Sequence, residues 1–137
     1  MKSGRLMFAI PALTLLGASA AAAAGPIGKW RVGDGTAVIA LHMCGANLCG
    51  VIAAGPEKNA LDDNNPDPAQ RGRRLLGLPI LNLKKSGDNK WAGTVYNAND
   101  GQNYQANLTL TSETQLTLEG CVVGTNICGS DSWMRVR

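Results

Sequence analysis

The amino-acid sequence predicts an all-β fold, a small eight-stranded antiparallel up-and-down barrel, on three observations. The first is alternation. In QLTLEGCV, Leu116, Leu118, Gly120 and Val122 share one face while Gln115, Thr117 and Glu119 share the other, the mark of a half-buried antiparallel strand. Tyr104, Ala106, Leu108 and Leu110 alternate likewise in the preceding run. The second is turn chemistry: GDG at Gly33 to Gly35, SGDN at Ser86 to Asn89 and NANDG at Asn97 to Gly101 supply residues suited to the positive φ angles of hairpins. The third is the count of strand-like runs. Eight successive antiparallel strands leave two exposed edges, and closing into a barrel removes both.

In chain order the expected strands are Lys29–Val32, Thr36–Met43, Gly50–Ala54, Leu78–Lys84, Lys90–Asn97, Gln102–Leu110, Gln115–Val122 and Asp131–Val136. Most are bounded by Gly, Asn, Asp or Ser, and no helical pattern follows the N-terminal segment. An outer-membrane barrel needs strands of about nine to eleven residues with an apolar lipid-facing band. Several of these runs are shorter, so a soluble barrel is expected. Its core must be built from Val, Leu, Ile and Ala around Trp30, Trp91 and Trp133, because the only phenylalanine, Phe8, lies in the leader.

That leader is a predicted secretory signal peptide. Met1 to Arg5 carries Lys2 and Arg5 and no acid, Leu6 to Gly17 is apolar, and the small-residue tract SAAAAAG follows, the layout of an export signal. The apolar stretch is too short to span a bilayer comfortably. The expected organisation is therefore a signal peptide over 1–24, cleaved after Ala22 or Ala24, and a single barrel domain over 25–137, periplasmic or secreted, with no integral membrane span after cleavage. Cleavage removes two of the 13 basic residues and none of the 10 acids, leaving 11 against 10. A chain so near neutrality gives no electrostatic case for nucleic acid or anionic membrane as partner.

Four cysteines lie in two short pairs, CGANLCG from Cys44 and CVVGTNICG from Cys121. Metal knuckle, redox centre and covalent clip all use such pairs. Export favours the clip, since thiols usually end as disulfides in oxidising surroundings. The C-x4-C spacing lies at the edge of zinc-knuckle spacings and Cys121-x6-Cys128 lies outside them; the C-x-x-C of thioredoxin-like centres is absent. No metal and no cofactor is expected. Four cysteines allow three connectivities. A hairpin between the second and third strands would set Cys44 and Cys49 side by side across its legs, and the second pair would close a loop between strands, so Cys44–Cys49 and Cys121–Cys128 are predicted. Each short loop contributes about 2 kcal/mol on the chain-entropy estimate.

One segment interrupts the strand pattern, PEKNALDDNNPDPAQRGRR from Pro56 to Arg74. Loops of this length are uncommon in compact domains and are often functional; a plain solvated connection is the competing explanation. Asp62, Asp63, Asn64, Asn65 and Asp67 offer oxygen ligands to a hard cation such as calcium. Their spacing is not that of an EF-hand, and Asx-turns explain the same composition, so they are assigned to a rim or lid. Arg71, Arg73 and Arg74 have the fork geometry for a carboxylate or phosphate, yet arginines beside acids usually pair with them. With Trp91, Tyr96 and Tyr104, Arg71 and Arg73 form the candidate ligand-binding set. His42, the sole histidine, has no evident catalytic partner. Lacking a recognisable nucleophile, base or metal constellation, the sequence yields no catalytic residue, and the expectation is against an enzyme.

The two ends of the chain carry a further signal. GKW at Gly28 to Trp30 opens the first strand and Arg135 lies in the last; in a closed barrel these are neighbours, so the guanidinium would cover the indole face, worth roughly 1 kcal/mol when sheltered. A Gly-x-Trp with a late arginine is similar to the calycin superfamily, which includes the lipocalins and fatty-acid-binding proteins. The longer combination of GKW, CGANLCG, DDNNPDPAQRGRRLLGLPIL, WAGTVYNANDGQNY, Gly120–Cys121 and WMRV at Trp133 to Val136 resembles domain-of-unknown-function family 2147, small exported bacterial proteins near the lipocalin-like barrels. One departure is Arg74, which stands where that family's pattern leads one to expect proline. The resemblance implies periplasmic export and a calycin/lipocalin-like barrel, and it lends no activity. The expected partner is a small apolar or amphipathic molecule in the barrel's mouth or interior. The alternative is a structural or protein-interaction module of the cell envelope with a filled barrel. No oligomeric state follows from the sequence.

Overall fold

A computed structural model describes residues 25–137; the expected signal peptide over 1–24 lies outside the described residues. All eight anticipated strands form: β1 Gly28–Arg31, β2 Val38–Cys44, β3 Asn47–Ala54, β4 Pro79–Gly87, β5 Lys90–Asn97, β6 Gln102–Ser112, β7 Gln115–Cys121 and β8 Cys128–Arg135. They follow one another round a closed barrel, every pair antiparallel, and β1 closes on β8 through Trp30↔Arg135 and Arg31↔Met134. Outward positions such as Lys29, Arg31, Lys84, Asn107 and Glu119 are polar, unlike the apolar band of a lipid-facing barrel. No described helix is long and apolar enough to cross a membrane.

Both predicted disulfides are present, Cys44–Cys49 and Cys121–Cys128, but the first is seated differently from the expectation. Cys44 pairs with Asn47, and Cys49 pairs with His42, so the two cysteines are offset by two positions and their bond crosses the hairpin diagonally, with the Cα atoms 5.9 Å apart. The cause is the turn. Only Gly45 and Ala46 separate Cys44 from Asn47, and Gly45 takes φ +67°, the glycine-first arrangement of a two-residue hairpin. This tight turn also starts β3 three residues before the expected Gly50. Cys121 and Cys128 do stand directly opposite, with Cα atoms 4.0 Å apart.

Strand direction sorts the connections into two ends. The N-terminal residues 25–27, the three tight turns after β2, β4 and β6, and the C-terminus gather at one end; the connections 32–37, 55–78, 98–101 and 122–127 gather at the other. The first end is filled by Trp30, Leu48, Leu83, Leu108 and Leu116, all at or below 1% exposure, with Leu41 and Trp91 beside them. Arg135 seals it. Its guanidinium carbon lies 4.3 Å from the centroid of the Trp30 ring, and it donates to the carbonyls of Ile27 at 2.9 Å, Gly25 at 2.5 Å and Glu113 at 2.7 Å. The Trp30 indole N–H donates to Pro26 O at 2.9 Å. Gly28 is glycine because its φ is +136° and a Cβ there would meet the Arg135 guanidinium.

Candidate functional site

The opposite end is hollow. Above a floor of buried Ile39, Ile52, Val95 and Trp133 lies a partly enclosed cavity of about 950 Å³, at the upper end of the volumes usual for small-molecule sites. The β7–β8 ladder shows why it is empty. Rising from the closed end, its inward pairs run Leu116↔Trp133, Leu118↔Asp131 and Gly120↔Gly129, so side-chain volume falls to nothing at the mouth. An eight-stranded barrel is just wide enough for its own side chains to fill it, and removing them leaves a pocket. Asp131 stands at the boundary: its Oδ2 accepts the Trp133 indole N–H at 2.9 Å and the Gly33 N–H at 3.1 Å, pinning the β1–β2 loop to the rim.

The long connection between β3 and β4 is laced into a hairpin of its own. Leu61 bridges Arg74, Asp62 N–H donates to Arg73 O and Leu75 N–H to Ala60 O, and Pro68–Gln70 forms a single 3-10 turn capped by the Asp67 carboxylate. At its heart is Asp62, fully buried. It accepts hydrogen bonds from the Tyr96 hydroxyl at 2.7 Å, Asn65 Nδ2 at 2.9 Å and Arg73 Nε at 3.0 Å. Burial alone would push the Asp62 carboxyl upward, but these three donors and the Arg73 charge more than offset it and hold the group below the ordinary carboxylate value. Burial and the neighbouring Asp62 carboxylate push the Tyr96 hydroxyl up, against Asn65 and Arg73, which pull it down.

The loop is tied across the mouth as well. Asn64 Nδ2 donates to Asn99 O at 3.0 Å and Ala98 O at 3.4 Å in the connection between β5 and β6. Gly101, at φ +72°, lets this turn come so close that a Cβ would collide with the Asn64 carbonyl. Tyr104 on β6 donates to Asp100 in the same turn; that hydrogen bond, then burial, raises the Tyr104 hydroxyl above its ordinary value.

Of the residues singled out from sequence, Tyr96, Tyr104 and Asp63 border the cavity. Trp91 does not: it packs in the filled end, with the Lys85 ammonium 5.6 Å from its ring centroid. Arg71 and Arg73 serve the loop, Arg71 donating to Asn65 O at 2.7 Å and Arg73 pairing with Asp62. Asp62, Asn64, Asn65 and Asp67 are likewise spent on loop contacts, and the Asp62 oxygens that a cation would need already hold protein donors. Asp34, Glu57, Asp131 and Trp133 also border the cavity, a placement not anticipated from the sequence. For Asp131 and Trp133 a signal existed, since alternation through Arg135 puts both on the inward face. For Asp34 and Glu57 there was none, because only the closed topology brings their loops together. Among the described residues one group has metal-ligand proximity, Glu119, Cys121 and Cys128, with ligand atoms within 4.8 Å; its sulfurs are joined to each other and offer no thiolate.

Two solved structures share this architecture. A Helicobacter pylori protein, HP1028, described as belonging to the lipocalin family, is similar with a TM-score of 0.73 at 18% identity, covering 81% of this chain and 82% of its own. A redesigned β-barrel is similar with a TM-score of 0.50 at 15% identity, covering 81% and 91%. At such identities the likeness speaks to the fold, a lipocalin-like barrel. No curated protein matches the chain. Residues 28–135 match the model of a family described as an uncharacterized protein conserved in bacteria, so nearly the whole barrel, from the Gly-x-Trp of β1 to the arginine that covers it, belongs to domain-of-unknown-function family 2147.

Proposed function

We propose that the protein is exported and binds a small apolar or amphipathic molecule in the open end of its barrel. The observation that carries this is the cavity of about 950 Å³ over a floor of Ile39, Ile52, Val95 and Trp133, an apolar base under a more polar rim, as small-molecule sites generally have. The lipocalin-like fold supports the reading by analogy. Export is supported by the N-terminal layout and by the two disulfides, which persist in oxidising compartments; the periplasm is the compartment we assign. The laced loop over 56–74 forms one wall of the mouth.

Gentle mass spectrometry of the mature protein, purified from its native periplasm, tests the proposal. A retained small molecule is expected, along with an N-terminus at Ala23 or Gly25. Gly120→Leu should abolish the adduct while leaving the barrel folded, because a Cβ at Gly120 meets only Tyr104 Cβ, at 3.7 Å, and the added side chain would enter the cavity. A bare protein mass from the wild type would overturn the binding proposal. A second reading, a module that docks another envelope component, draws on the exposed Val122, Val123 and Ile127 beside the Cys121–Cys128 clip. It would be favoured by a bare mass together with loss of partner capture on Val123→Asp.

A further inference from the structure

Resting on that binding proposal, we infer that the ligand's polar end is cationic: an amine or quaternary ammonium on an apolar body. Among the described residues, the charged side chains bordering the cavity are Asp34, Glu57, Asp63 and Asp131, and neither lysine nor arginine borders it. This is not inherited from composition, since the described chain has slightly more basic than acidic residues. The nearby arginines are drawn elsewhere: Arg73 to Asp62, Arg71 to Asn65 O and Arg74 to Asn59 Oδ1.

The cavity itself orients the ligand. Its floor is apolar and closed by Trp133, so the apolar body sits downward and the polar end meets the rim. There, Asp131 is an inward-facing carboxylate next to the unfilled Gly120↔Gly129 pair. Its Oδ2 is engaged, while no described residue donates a hydrogen bond to its Oδ1. Carboxylates of one sign around a low-dielectric hollow focus their field into it and raise the local concentration of cations. Trp133 and Tyr104 add π-faces that attract ammonium groups, whereas the Tyr96 ring already has the Arg73 guanidinium 5.7 Å from its centroid. A metal ion suits the rim less well. The four acids do not converge, for no three of them appear among the described groups with ligand atoms close enough for one ion. A dispersed ring matches an organic cation that fills space.

Calorimetric titration of the intact protein with decylammonium, decanoate and decyl glucoside, each below its micellar concentration, tests the inference. Decylammonium should bind about tenfold or more tighter than decanoate at low ionic strength, with the gap narrowing at about 0.5 M salt. Asp63→Asn, at an exposed position with no side-chain hydrogen bond or ion pair among the described residues, and Asp131→Asn, which keeps an acceptor for Trp133, should each shrink the preference. Decanoate binding as tightly as decylammonium would overturn the inference and leave the binding proposal standing. So would a preference that survives both substitutions. Failure of all three probes to bind would bring down the binding proposal, and the inference with it.

Discussion

The two ends of this barrel are built from the same alternating strands and reach opposite outcomes. At the closed end the inward positions include Trp30, Leu41, Leu48, Leu83, Trp91, Leu108 and Leu116, which pack into the buried core. At the open end they fall away to Gly120 and Gly129, and the space they vacate is walled by loops rather than filled. Alternation decides that a strand has an inside face; the volume on that face decides whether the inside is core or pocket. A filled barrel and a hollow one are therefore stacked along one axis. A stable base frees the mouth from having to pack.

If that division is right, damage at the base should cost stability without touching the mouth. Trp30→Ala removes a fully buried indole and leaves the Arg135 guanidinium without its ring, at a cost of about 3–5 kcal/mol. Urea denaturation should show this as a lower midpoint. Whatever fraction remains folded should match the wild type in its affinity for decylammonium, the probe of the proposed site. A loss under about 1 kcal/mol, or a matching loss of binding, would mean that the ends are not separate.

Acid should separate them in the other direction. Asp62 anchors the mouth loop, and its carboxyl is held below the ordinary value of about 3.9. The sign follows from linkage: a depressed carboxyl contributes stability that is fully present above the unfolded value and is lost as pH falls through the lower folded value. The seal at the base contains no carboxyl: the Arg135 guanidinium bonds to backbone carbonyls. Hydrogen exchange below about pH 4 should therefore release the amides of 60–75 before those of β1 and β8. Asp62→Ala should bring that release to neutral pH and cost about 2 kcal/mol, from the unpartnered Tyr96 and Asn65 donors and a partly exposed, screened Arg73 pair.

The base was far more legible in the sequence than the mouth, and the reason is locality. Strand alternation, the Gly-x-Trp with its late arginine and the short Cys44–Cys49 loop each depend on neighbours in sequence or on the single fact of closure. The mouth depends on three loops meeting. Asp62 read as a candidate cation ligand or exposed cap because nothing nearby announced Tyr96, 34 residues away, as its partner. Tyr96 itself was legible in part: alternation sets it on the face opposite Trp91 and Val95, so its hydroxyl turns to the loop. The diagonal Cys44–Cys49 seat was legible too, had Gly45 been taken as the first residue of a two-residue turn.

The smallest expected effect tests how tightly the mouth is set. Gly101 holds φ +72° directly beneath the Asn64 carbonyl, so Gly101→Ala meets both a left-handed backbone and a collision, and the turn must lift away from the loop. The global cost should be only slightly more than about 1 kcal/mol, because no core side chain moves. Local consequences should be larger. The two Asn64 hydrogen bonds to Ala98 and Asn99 lengthen or break, and exchange quickens at 97–102 while the amides around Trp30 keep wild-type protection. Uniform loss of protection over both ends would show that the mouth clamp and the base seal belong to one cooperative unit; loss confined to the rim would fix the boundary between them at the floor formed by Val95 and Trp133.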